Sequence, residues 1–231
     1  MPIDRGIQQL KELLLIIEVI FLFLFSVFCI KYKRVLNNKK VVLRSFLPEG
    51  WKQIICYFLI IASLVAVLCM LLLFYKKSFI FITKRLVLVS LLWPMAVYDF
   101  KEYRIPNKLV LSGLILRVLI FLAEIVTIGF PAVFTSLISE CIAAVGAAVV
   151  CLLCMLLSRG SLGMGDLKLL VMMALLLGVE GICYSMFVSV FFAFVCAIVL
   201  LISKKKGRKD HMPFAPCILA GTIVALILCG V

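Results

Sequence analysis

Residues 54–75 read IICYFLIIASLVAVLCMLLLFY, a run without a single charged side chain, and Lys76 and Lys77 follow it directly. A helix needs roughly 20 apolar residues to cross the hydrocarbon core of a bilayer. This run is therefore long enough to span a membrane as one helix, and the charged pair after it marks the end of the crossing.

The same pattern runs through the whole chain. Of its 231 residues, 66% are hydrophobic and only 15% are charged, and the mean hydropathy of +1.28 is far above that of a soluble globular protein. The charges lie in short clusters between apolar runs. This composition excludes a soluble domain and argues against a disordered chain or a disulfide scaffold. It predicts a polytopic membrane protein in contact with the lipid bilayer.

The apolar runs bounded by charges, Pro or Gly predict an all-α fold with about eight transmembrane helices. The stretch Ser78–Thr83 before the third run is interpreted as a possible short interfacial segment. We expect an N-terminal two-helix membrane region at residues 1–85, with a short basic loop, and a six-helix core at residues 86–231. The predicted spans are Leu13–Ile30, Ile54–Tyr75, Leu86–Tyr103, Leu109–Ile128, Leu137–Ser158, Asp166–Val179, Ile182–Ser203 and Pro213–Val231.

The distribution of Lys and Arg orients these helices, because basic loops tend to stay in the cytoplasm. With eight spans, one alternating set of loops contains 17 of the 24 basic residues and is predicted to be cytoplasmic. The bias accounts for most of the net charge of +13, so a nucleic-acid partner is not needed. We expect a multi-pass protein of the cell membrane. The loops in question are Lys31–Lys52, Lys101–Lys108, Ser158–Lys168 and Ser203–His211.

The ten cysteines all fall in apolar segments, where a free cysteine behaves as a small hydrophobic residue. Cys151 and Cys154 form a C-x-x-C pair, but no second pair exists, and the single histidine, His211, is distant in sequence. A zinc site needs four good ligands. No metal and no cofactor are therefore expected.

Placing a charged side chain inside a membrane costs free energy, so each one in an apolar run needs a structural or functional explanation. Glu18, Glu124 and Glu140 lie near the predicted outer ends of their helices, and we expect them to be solvated at the interface. Arg117 lies inside the fourth span, two turns from Glu124 on the same helix face. An ion pair, snorkelling and a functional role all stay open for Arg117.

Two aspartates stand apart because each lies in a distinctive local sequence. Asp99 is close to the cytoplasmic end of the third span and is followed by Ile105-Pro106-Asn107, where the proline predicts a turn. Asp166 follows Gly163-Met164-Gly165 at the cytoplasmic start of the sixth span. There it is also well placed to cap a helix. The topology puts both carboxylates on the same side of the membrane at a similar depth.

Two adjacent carboxylates can share one proton, since like charges close together cannot both ionise easily. One then activates a water while the other, protonated, polarises a peptide carbonyl. Such a pair hydrolyses peptides without a metal. Proton or cation transport, which also uses intramembrane aspartates, is an equal alternative on these grounds.

The motifs around the two aspartates resemble those of type IV prepilin peptidases. Asp99-Phe-Lys-Glu-Tyr-Arg-Ile-Pro-Asn107 is similar to the family's aspartate-to-IPN motif, and Gly163-Met-Gly-Asp-Leu-Lys168 is similar to its G-x-G-D-x-K motif. Met212-Pro-Phe-Ala-Pro216 resembles a Pro-Phe-Gly-Pro stretch of the same family. The resemblance covers roughly Leu86 to Val231.

This resemblance implies a membrane-embedded aspartic endopeptidase with Asp99 and Asp166 as its catalytic pair. It implies prepilin or pseudopilin substrates, whose short basic leader peptides are cut at the cytoplasmic face. We expect Gly163 and Gly165 to shape the loop before Asp166, and Pro106 and Asn107 to order the turn after Asp99. Lys168 would tune the charge of the pair or bind substrate, and Pro213 and Pro216 would border the site.

The chain departs from the family pattern in two ways. Larger members carry paired C-x-x-C motifs in their first cytoplasmic loop, associated with N-methylation, whereas Lys31–Lys52 contains no cysteine. We therefore expect the protease activity alone. Ala215 also stands where the family often has glycine.

Two other classes remain as alternatives. The Tyr98-Asp99 and G-x-G-D motifs also resemble those of presenilin and signal peptide peptidase, although their Pro-Ala-Leu motif is absent here. A small transporter using the two aspartates would instead line its mid-membrane helices with polar groups, and apart from Arg117 the sequence shows few.

Overall fold

The computed structural model describes residues 2–37, 51–157, 163–202 and 213–230. Within these ranges every regular element is helical, which confirms the predicted all-α fold. A π-helical segment, Met70–Phe74, continues α2. The helices are α1 (Pro2–Asn37), α2 (Trp51–Cys69), α3 (Phe79–Glu102), α4 (Asn107–Ile128), α5 (Phe130–Leu157), α6 (Met164–Ile202) and α7 (Ala215–Cys229).

Six helices of the described chain are long and apolar enough to cross a bilayer, and α7 is a shorter apolar helix. The chain is thus a multi-pass membrane protein. The predicted count of eight spans is not confirmed, because the sixth and seventh predicted spans both belong to α6. The basic loop predicted at Ser203–His211 lies outside the described residues, as do residues 38–50 of Lys31–Lys52 and residues 158–162 of Ser158–Lys168.

α6 reverses direction at Gly178, whose φ of 72° and ψ of −175° are not helical. Asp166, before this glycine, lies beside Asp99, and Asp99 binds the first residue of α7. Ser189, after the glycine, reaches the carbonyl of Ile218 near the same end of α7. A straight helix would separate Asp166 and Ser189 by about 35 Å at 1.5 Å per residue. We call residues 164–177 the first arm of α6 and residues 179–202 the second arm.

α3 is the central helix of the fold. It packs against α1, α2, α4, α6 and α7, and most of its length is buried. The other spanning helices expose most of their apolar side chains, as helices facing lipid do. Asp99, near the carboxyl end of α3, is therefore carried by a helix that lies in the interior of the protein.

The start of α3 corrects one expectation. The helix begins at Phe79, so the stretch predicted as an interfacial segment is its first turns, and the expected boundary at residues 85 and 86 falls inside it. Lys84 and Arg85, in these first turns, are buried within the protein.

Candidate active site

Asp99 lies near the carboxyl end of α3 and is 6% exposed. Its Oδ2 accepts a hydrogen bond of 2.9 Å from the backbone N–H of Ala215, the first residue of α7. α3 ends three residues later at Glu102, and the next residue, Tyr103, adopts the left-handed region with φ 53° and donates its N–H to the Asp99 carbonyl. The carboxylate is thus held between the end of one helix and the start of another.

Asp166 lies in the first turn of α6 and is half-buried. Its Oδ2 accepts a 3.2 Å hydrogen bond from the N–H of Gly163, while its own N–H donates to the Gly163 carbonyl at 3.0 Å. These two bonds fix the turn that precedes the helix. The predicted cap is therefore present, and the helix dipole also favours a carboxylate there.

Both aspartates line one cavity of about 330 Å³. The two carboxylates are close enough to interact electrostatically. Arg104 and Lys168 also line the cavity, so two basic and two acidic side chains face the same space. The remaining lining residues are Tyr103, Ile105, Asn107, Gly163, Met164 and Gly165.

Two contacts join the walls of this cavity. The Lys168 Nζ donates a 3.0 Å hydrogen bond to Asn107 Oδ1, linking the start of α6 to the start of α4. Gly165 lies against Ile105, with only 3.3 Å between the Ile105 Cβ and the position a β-carbon would take on the glycine. The turn predicted after Asp99 is present, with Pro106 in an extended conformation at the amino-terminal cap of α4.

The structure brings together most of the residues predicted for the site. Asp99, Asp166, Asn107, Gly163, Gly165 and Lys168 line the cavity, whereas Pro106, Pro213 and Pro216 do not. The three prolines instead flank residues that do contribute: Pro106 lies between Ile105 and Asn107, and Pro213 and Pro216 enclose Phe214 and Ala215.

Sequence reasoning missed Tyr103, Arg104, Ile105 and Met164, which also line the cavity. All four lie within the two motifs that contain the aspartates. Their closeness in sequence to Asp99 or Asp166 could therefore have identified them as candidates. The N–H of Ala215 was missed because a backbone donor leaves no mark in the residue type. In the described part of the chain, no cluster of three or more His, Cys, Asp or Glu side chains is placed to bind a metal ion.

A second group of charges lies away from this cavity and corrects another expectation. Glu124 and Glu140 were expected to be solvated, but they are 3% and 5% exposed. Each pairs with both Lys84 and Arg117. The prediction was wrong because the two glutamates face cations on α3 and α4 instead of the membrane surface. The ion pair considered for Arg117 is present.

Glu18 is only half-buried, and its Oε2 accepts a 3.0 Å hydrogen bond from Thr83 Oγ1. Its contact therefore joins α1 to the first part of α3.

Comparison with known proteins gives two matches. The sequence model of the type IV leader peptidase family matches residues 86–202, about half of the chain, including both aspartates. A protein of Bacillus subtilis (strain 168) described as prepilin leader peptidase/N-methyltransferase is 26% identical over 141 residues, which is 61% of this chain and 54% of that protein. The chain thus aligns with about half the length of this relative. No solved structure matches significantly.

Proposed function

The chain belongs to the type IV leader peptidase family, and from this membership we propose that it is an aspartic endopeptidase whose catalytic pair is Asp99 and Asp166. The observation that carries the proposal is the shared cavity, onto which α3 and α6 each bring one carboxylate. In this proposal the catalytic core begins with α3, instead of at residue 86, and runs to residue 231, and α1 and α2 form an additional membrane region.

The proposed mechanism divides the work between the two carboxylates. One, ionised, takes a proton from a water molecule in the cavity, and the water attacks the peptide carbonyl carbon. The other, protonated, donates a hydrogen bond to the carbonyl oxygen as negative charge develops there. The first aspartate then gives the proton it took from water to the amide nitrogen, and the C–N bond breaks. The new carboxyl and amino ends leave, and the pair again holds one proton. Like charges so close together disfavour double ionisation, which supports a state in which the pair holds one proton.

The backbone donors on each aspartate orient this pair. The Ala215 N–H fixes one oxygen of Asp99, and the Gly163 N–H fixes one oxygen of Asp166. Asp99 is also hydrogen-bonded by the backbone of Phe214, so two successive residues at the start of α7 hold this carboxyl group. Because the bond to Asp99 comes from the backbone, alanine supplies it as glycine would, so Ala215 does not weaken the resemblance to the family.

The cations of the cavity have separate proposed roles. Lys168, through Asn107, holds the first turn of α6 against the loop that follows α3. Arg104 lies in that loop, where a guanidinium is able to bind substrate carbonyls. Pro106, Pro213 and Pro216 stiffen the segments that carry Asn107 and Ala215.

The proposed substrates are prepilins or pseudopilins, with cleavage of the leader peptide at the cytoplasmic face of the plasma membrane. The relative's description and the family match support this class. The concentration of basic residues in the loops at the cavity end supports the cytoplasmic orientation. We propose peptidase activity alone, because Lys31–Lys52 contains no cysteine.

The test is cleavage of a prepilin with an intact leader by the purified protein in lipid, comparing wild type with Asp99→Asn and Asp166→Asn. Asparagine keeps the shape of the side chain and removes its ionisable group. We expect both variants to lose at least about 10³-fold in cleavage rate, since the two residues act as a unit.

Glu102→Gln is the matched control. It removes a carboxylate from the same end of α3, yet Glu102 does not line the cavity. Cleavage by this variant should match wild type. Retention of wild-type rates in either aspartate variant would reject the catalytic pair. If wild type cuts none of several prepilins, proton flux in liposomes tests the transport alternative.

A further inference from the structure

The reversal at Gly178 ends the first arm of α6, and the last four backbone carbonyls of a helix have no partner within the helix. Leu176 and Leu177 at this end are buried, so their carbonyls need partners from the protein. In this chain three of them, on Leu175, Leu176 and Leu177, accept hydrogen bonds from arginines of neighbouring helices.

Arg85 of α3 supplies two of these bonds. Its guanidinium nitrogens donate to the carbonyls of Leu176 and Leu177, the second at 3.1 Å. The guanidinium also stacks 4.3 Å from the centre of the Phe81 ring. The planar fork of arginine suits two successive carbonyls, which a lysine ammonium would not bind with the same geometry.

Arg117 of α4 supplies the third bond, from its Nε to the Leu175 carbonyl at 3.0 Å. The same side chain pairs with Glu124 and Glu140, and Lys84 pairs with both glutamates as well. Arg85 and Arg117 thus bring positive charge to the carboxyl end of the first arm, which the helix dipole favours.

The arm capped in this way carries Asp166 at its opposite end. Arg85 and Asp99 both belong to α3 and are separated by about 21 Å along that helix. Asp166 and Leu177 are separated by about 17 Å along the first arm. Arg85 therefore joins the two helices that bear the aspartates, at the end remote from the cavity.

We propose that Arg85 and Arg117 are positioning residues. By capping the far end of the first arm, they fix the position of Asp166 along the helix axis and so keep it beside Asp99. This proposal rests on the proposed aspartic peptidase function. Without the cap, the freed carbonyls are satisfied by a shift or rotation of the arm, and the carboxylates leave their common cavity. A misplacement of about 1 Å reduces a rate by on the order of 100-fold.

The experiment compares Arg85→Met, Arg117→Met, Arg85→Lys and Lys84→Met with wild type. Lys84→Met is the matched control, because Lys84 is buried and binds the two glutamates, but its ion pairs do not involve α6. Cleavage gives kcat and KM for each unlabelled variant. Spin labels at Phe100 and Met164, both exposed, report the distance between the two helix ends. The labels enter through a ketone-bearing amino acid, so that the ten native cysteines stay in place.

We expect Arg85→Met and Arg117→Met to lower kcat by on the order of 10- to 100-fold while KM stays within about a factor of two. The label distance should shift by about 1–2 Å or broaden. Lys84→Met should keep the wild-type kcat and distance. Arg85→Lys keeps the charge at this position and should fold more readily than Arg85→Met. Its kcat should lie between those of wild type and Arg85→Met.

The proposal is overturned if Lys84→Met loses as much kcat as the arginine variants, or if their label distances match wild type. Either result would make the group a general stabiliser of the bundle. If wild type fails to cleave, or Asp99→Asn still cleaves, the peptidase function fails instead. The label distances then still decide whether the arginines position the arm.

Discussion

Gly165 shows how one residue limits the geometry of the cavity. A β-carbon at this position would lie 3.3 Å from the Ile105 Cβ and 3.7 Å from its backbone nitrogen. At Gly163 the nearest described atom to a β-carbon would be the Asp166 Oδ2, at an ordinary 3.5 Å. The two glycines of the motif thus differ: Gly165 permits a close approach of two segments, and Gly163 contributes a backbone N–H.

We therefore expect Gly165→Val to impair cleavage severely and Gly163→Ala to be tolerated. The valine pushes the loop containing Ile105 away from the start of α6, at a cost of about 1–3 kcal/mol, which corresponds to roughly 5- to 150-fold in rate if the cost falls on the transition state. Gly163→Ala keeps the N–H that binds Asp166 and should stay within about threefold of wild type. Cleavage rates of the purified variants check this, and equal losses in both would contradict it.

At the residue scale, the sequence motifs identified the two candidate catalytic aspartates but not the groups that hold them in place. Asp99 and Asp166 were predicted from their local sequence and both line the cavity. The support of Asp99 is a backbone N–H on α7, more than a hundred residues away. The partners of Glu124 and Glu140 likewise come from other helices. Such contacts depend on packing, which local sequence does not encode.

At the scale of the element, α6 depends on one backbone conformation. Gly178 has φ 72° and ψ −175°, and no described atom lies within 4 Å of the position that a β-carbon would take there. Only glycine adopts this region readily, so any substitution is strained even though space is free.

Gly178→Ala should destabilise the protein by about 1–3 kcal/mol through this backbone strain. Gly146→Ala is the matched control, because Gly146 lies inside α5 and also has open space around it. In a helix interior, alanine should raise stability by about 0.5–1 kcal/mol. Denaturation of both variants in detergent micelles measures the difference. A Gly178→Ala protein as stable as Gly146→Ala would show that the reversal does not require glycine.

The same element shows which features of a helix the sequence marks. Apolar runs mark where helices lie, and the runs around residues 166–179 and 182–203 correspond to the two arms of α6. Composition does not reveal whether two such runs are separated by a loop or joined at a glycine that reverses the chain. The decisive features are the dihedral angles of Gly178 and the arginines that bind the carbonyls before it.

At the scale of the whole molecule, hydropathy was sufficient to predict the class of fold. A helix that faces lipid must have apolar side chains and must pair its own backbone groups, so it stands out in the sequence. α3 is harder to recognise from hydropathy, because most of it does not face lipid. It is the most buried span and the least hydropathic, since a helix surrounded by protein is free to carry Lys84, Arg85 and Asp99.

The orientation of the whole molecule yields the last prediction. Lys101 lies at the cavity end of α3 and Ser78 at its opposite end, and both are exposed. Because 17 of the 24 basic residues fall in loops assigned to the cavity side, that side should face the cytoplasm. Lys101→Cys and Ser78→Cys, each in a background without the ten native cysteines, test this with a membrane-impermeant maleimide. Ser78→Cys should react in intact cells, and Lys101→Cys only after the membrane is permeabilised. The reverse pattern would place the aspartates at the outer face, where a leader peptide still in the cytoplasm does not reach them.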